Sequence, residues 1–117
     1  MYLGAAGRGL VLPWAILPEV DHIVAGRLGA DAARAFRADL ANGAFAVEWG
    51  VLPDLARAAA LETRHVSLEL GLVDAVVMAV AERLGAIAIA TLDLRDFASV
   101  ELEGRPQLWP RDLPAPS

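Results

Sequence analysis

"GLVDAVVMAVAERLGAIAIAT", residues 71–91, is two elements joined at a glycine. From Gly71 to Ala81 the only polar side chain is Asp74. A stretch this apolar reads as a helix buried nearly all round, over 71–85, and Gly85 is its stop. The short apolar run "AIAIAT" (86–91) reads as a buried strand. That strand runs straight into Asp93, Arg95 and Asp96, with Phe97 behind them. A central helix feeding a buried strand that ends in carboxylates is the pattern of an α/β fold with something to bind at the strand's end.

The rest of the chain repeats the alternation. "GRGLVLP" (7–13) reads as a short strand, and "WAILPEVDHIVAGRLG" places Ile16, Val20, Ile23, Val24 and Leu28 at helical spacing. Pro18 is compatible with that helix only in its first turn, where backbone N–H groups lack partners anyway. "ADAARAFRADLANG" (30–43) is a second helix, with Asp31 a candidate N-cap and Asn42-Gly43 its end. "AFAVEWG" (44–50) alternates like a strand, and "PDLARAAALETRH" (53–65) is a third helix. "PQLWP" (106–110) reads as an edge strand held by its prolines. Strands alternating with helices give a mostly parallel sheet with helices on its faces.

Composition narrows the function. The 117 residues make one domain, and 56% hydrophobic content gives it a packed core. Charged residues and prolines break every apolar run before the roughly 20 residues of a membrane span, and the N-terminus has no signal-peptide pattern. The absence of cysteine removes disulfides, thiolate zinc sites and a cysteine nucleophile, and fits a cytoplasmic protein. All ten basic residues are Arg, which rules out Schiff-base and Walker-type lysine chemistry. A net charge of −5 argues against broad electrostatic binding of nucleic acid, although a local Arg patch or bound cation can still recruit a phosphodiester.

Asp74 needs an account, because an unpaired carboxylate on a buried helix costs several kcal/mol. It can cap its own helix, pair with an Arg, or ligate a metal with other acids. Asp93 follows the next strand, and Glu19 lies in the first turn of the helix after strand 7–13, so all three belong to one sheet edge. Converging carboxylates make a hard-oxygen site suited to Mg²⁺ or Mn²⁺ rather than zinc. His22, three residues after Glu19, can face the same site or be a plain surface histidine. Apart from the metal reading, the chain can also be a small doubly wound ligand-binding domain whose acids decorate its surface.

"LGLVDAVVMAVAERLGAIAIATLDLRDF" (70–97) resembles the C-terminal half of PIN-domain ribonucleases, particularly VapC-type toxins of toxin–antitoxin pairs. "LVLPWAILPEVDHIVAGRLGADAARAFRADLANGAFAVE" (10–48) resembles the middle of the same domain. The likeness runs from about Leu10 to Pro110, leaving 1–9 and 111–117 as tails of a single domain. It implies a PIN-like three-layer α/β/α fold and a Mg²⁺- or Mn²⁺-dependent endoribonuclease. A metal-activated water would hydrolyse RNA phosphodiester bonds.

By position, Glu19, Asp74 and Asp93 match the family's catalytic, metal-binding acids. Asp96 is a further candidate ligand, and Arg95 a candidate contact to RNA phosphate. The family also implies a homodimer held inactive by a cognate antitoxin. One departure stands out. Family members open with a central strand ending in an Asp, followed by a helix, a unit of roughly 30 residues, and residues 1–9 hold no acid. The expectation is an N-terminally truncated PIN domain, either from a misassigned start or as a non-catalytic remnant that works only through protein binding. As a fragment it would lack the middle of its sheet, expose apolar surface and bind metal poorly.

Overall fold

The computed structural model describes residues 2–5, 9–90, 94–109 and 111–112. In chain order these form β1 (Tyr2–Ala5), β2 (Gly9–Pro13), a 3₁₀ turn (Trp14–Ile16), α1 (Leu17–Leu28) and α2 (Ala30–Ala41). There follow β3 (Ala46–Glu48), α3 (Leu52–Arg64), a second 3₁₀ turn (Val66–Leu68) and α4 (Leu72–Leu84). The chain closes with β4 (Ala86–Ala90), α5 (Leu94–Ser99) and β5 (Gln107–Trp109).

The helix that sequence places at the centre is there. Seven consecutive residues of α4, Ala75 to Ala81, are buried. Val76, Val77, Met78 and Val80 form the middle of the core with Ile16, Leu61 and Ile89. Gly85 ends α4 in the left-handed region, φ +61, which a glycine enters without steric cost and which lets the chain turn at once into β4. Pro18 falls in the first turn of α1, as its missing N–H requires. Asp31 is not an N-cap: Gly29 holds that position, and Asp31 sits inside the first turn of α2, paired with Arg34.

The five strands lie in the order β3-β2-β1-β4-β5. β2 pairs parallel with β3 and β4 parallel with β5, while β1 is antiparallel to both of its neighbours. Four strands therefore point one way and the middle one is reversed, so the sheet is mostly parallel in direction but mixed at its centre. β5 is the edge strand expected from "PQLWP".

Two expectations about the termini fail. Residues 2–5 are no tail, and the sheet does not lack its middle: β1 fills it, with Leu3 opposite Val11 and Ile89. The physical reason is plain. Without β1, the facing edges of β2 and β4 would hold rows of unpaired N–H and C=O groups. The fit is imperfect, since the pairing shifts between Gly4 and Ala5 and skips Ile87, which stays exposed. At the other end, Arg111 and Asp112 fold back on β5: the Leu108 N–H donates to Asp112 Oδ2 at 2.8 Å. Apolar surface is left open, with Leu10 60% and Trp49 73% exposed. Among the described residues no helix is long and apolar enough to cross a membrane.

Candidate metal centre

β2 and β4 run in the same direction with only β1 between them, so their carboxyl ends share one edge of the sheet. From β2 the chain passes through the turn Trp14–Ile16 into α1, which puts Glu19 in that helix's first turn. Asp74 stands in the first turn of α4. The two carboxylates come from distant parts of the sequence and line one cavity of about 600 Å³, together with Ala15, Pro18, Gly71, Leu72 and Val73. Glu19 is exposed and Asp74 half-buried. Each sits where a helix macrodipole favours negative charge. Asp74 has a further interaction of its own.

The other candidates fare differently. Asp93 lies outside the described residues. Asp96 and Arg95 fall on α5, two and one residues beyond its start, but their side chains lie outside what is described. His22 is exposed and does not line the cavity. Among the described residues, no group of three His, Cys, Asp or Glu side chains is placed to hold an ion. The pair Glu19–Asp74 is what the structure brings together. Its chemistry fits a hard cation: Mg²⁺ takes oxygen ligands, and one or two carboxylates plus substrate phosphates and water suffice.

Sequence reasoning missed a network at the other end of α4. The Asp54 side chain is buried and accepts from Arg83 Nε at 2.7 Å, Arg83 Nη2 at 3.1 Å and the Val51 N–H at 2.9 Å. Arg83 Nη2 also donates to Glu48 Oε1 at 2.6 Å, and the same oxygen accepts from the Gly50 N–H at 3.1 Å. The hydrogen bonds to Asp54, with the one to Glu48, hold the pKa of the Arg83 guanidinium above its ordinary value. A second pair joins the same two helices, with Arg57 Nε donating to Glu82 Oε1 at 2.7 Å. The available signal was Asp54 just after Pro53, the position of a reciprocal helix cap. The Asp54 N–H indeed donates to the Val51 carbonyl.

Comparison with known proteins decides the family. The family model for the PIN domain matches residues 5–102. The chain belongs to the PIN-domain family. Over 98 residues it is also 30% identical to Ribonuclease VapC26 of Mycobacterium tuberculosis (strain ATCC 25618 / H37Rv), an alignment covering 84% of this chain and 73% of the relative. The VapC-type resemblance read from residues 10–48 and 70–97 is thereby borne out, as is the α/β class of this PIN domain. The match begins at Ala5, inside β1, earlier than the Leu10 expected from sequence.

Proposed function

We propose that this PIN domain is a Mg²⁺- or Mn²⁺-dependent endoribonuclease, the toxin of a toxin–antitoxin pair, working in the cytoplasm. The observation that carries the reading is the shared cavity of Glu19 and Asp74 at the sheet edge where β2 and β4 end. Likeness to a VapC ribonuclease supports RNA as the substrate. Glu19 and Asp74 supply oxygen ligands from two helix N-termini, and Asp93 and Asp96 are proposed to complete the set from the segment after β4. When bound, the ion supplies Lewis-acid chemistry at the phosphodiester and a more acidic water. Arg95, one residue into α5, is proposed to steady the RNA phosphate. The side chains of Ala15, Pro18, Leu72 and Val73 in the wall are apolar, so among side chains the polar contacts fall to the acids. A homodimer restrained by a cognate antitoxin is the assembly we propose.

One observation favours a second reading, a PIN domain that acts only by binding protein. The strand between β2 and β4, Tyr2–Ala5, contributes no acid to the edge where the ligands gather. A cleavage assay separates the two. Purified protein incubated with a long single-stranded RNA and Mn²⁺ is expected to cut it, and EDTA to stop the cutting. Intact RNA under every condition, with the protein folded, would favour the binding-only reading.

A further inference from the structure

α1 carries Glu19 yet buries none of its own residues fully, packing instead against α2 and the turn Trp14–Ile16. That turn is its anchor: Ala15 and Ile16 are buried, and the turn packs on α4. The position of Glu19 is therefore set at the head of α1, by this turn together with Leu17 and Val20, which pack half-buried against the core.

Gly50 lies against Trp14. Its φ is +84, and a Cβ there would sit 2.7 Å from Trp14 Nε1 and 3.0 Å from Cδ1, closer than side chains tolerate. Backbone is thus seated directly on the edge of the indole. The loop bearing Gly50 is held from the far end of α4: Arg83 binds Asp54 and Glu48, and these accept the N–H groups of Val51 and Gly50. Helix α4 carries Asp74 in its first turn and Arg83 in its last.

We propose that Arg83, Asp54, Gly50 and Trp14 are positioning residues, which seat the turn Trp14–Ile16 against α4 and so fix the spacing of Glu19 and Asp74. The inference rests on reading those two acids as cation ligands. Helix α4 fixes one ligand directly and the other through the clamp at its opposite end. A β-carbon at position 50 pushes the indole, the turn and the head of α1 away from Asp74.

Because the chain has no cysteine, His22→Cys and Ser67→Cys, both exposed positions, can carry spin labels that report, by double electron–electron resonance, the distance from α1 to the turn Val66–Leu68 just ahead of α4. Gly50→Ala is expected to shift or broaden that distance and to weaken Mn²⁺ binding several-fold. Trp14→Phe, which keeps a ring in the core but withdraws the indole edge, is the second variant and broadens the same distance. A distance distribution superimposable on the parent's in either folded variant overturns the proposal. Mn²⁺ binding indifferent to Glu19→Gln would instead sink the cation reading, while the distance result still decides the clamp.

Discussion

Glu19 and Asp74 open on one cavity although one heads α1 and the other heads α4. Two helices whose N-termini meet at the carboxyl edge of parallel strands bring carboxylates together where ligands of α/β sheets bind. This arrangement carries the functional reading of the protein.

Arg83→Leu leaves the buried Asp54 carboxylate without its cation. The Val51 N–H remains as a partner, and Arg83 is itself partly exposed, so the loss expected is about 2–3 kcal/mol rather than the larger cost of a fully interior pair. Urea unfolding of the two proteins measures it. A change below about 0.5 kcal/mol, the usual range of surface substitutions, would show that the network does not brace the fold.

Glu82 makes stability fall in acid. Burial pushes its carboxyl up, but the hydrogen bonds from Arg57 and the Glu103 N–H outweigh burial and hold it below its ordinary value. A carboxyl lowered in the folded state adds stability that is complete above the ordinary glutamate range, near pH 4.3, and is lost as pH falls through the lowered value. Asp112, brought down to about 2 mainly by Arg111, extends the same loss to lower pH. Glu82→Gln is expected to flatten the dependence of urea midpoint on pH between about 5 and 3. An unchanged slope would contradict the assignment.

Met78→Ala hollows the core where α4 is fully enclosed. Substitutions of this kind cost about 2–5 kcal/mol, and the tight surroundings of Val76, Val77, Leu61 and Ile89 favour the upper half. Thermal unfolding followed by circular dichroism checks it, and Leu72→Ala, at an exposed position of the same helix, serves as the near-neutral comparison.

Because β1 closes the sheet, the amides of Leu3 and Gly4 are expected to exchange slowly. Hydrogen exchange read by NMR is expected to protect them within reach of the neighbouring Ile89 and Val11 amides. Exchange at the rate of a free peptide would return residues 2–5 to the tail that sequence alone suggests.

Much of this fold is legible in the sequence. α4 and β4 announced themselves, because an apolar run of helical length followed by Gly85 admits few other structures. Glu19 and Asp74 could be placed on one edge from element order alone. β1 could not: "YLGA" has no alternating pattern, and its pairing is decided by β2 and β4, which present the open rows it satisfies. α5 was missed because six residues are too few to show a helical period. The tie of Arg83 to Asp54 and Glu48 joins three elements whose contact only the packed structure specifies.

The most direct test of the central claim is calorimetric titration of the purified protein with Mn²⁺, beside Asp74→Asn and Glu19→Gln. Both substitutions keep side-chain shape and remove one ligand charge. Saturable binding by the parent, weakened roughly tenfold or more in each variant, is the predicted result. Equal affinity in all three proteins would contradict the claim that Glu19 and Asp74 share a cation.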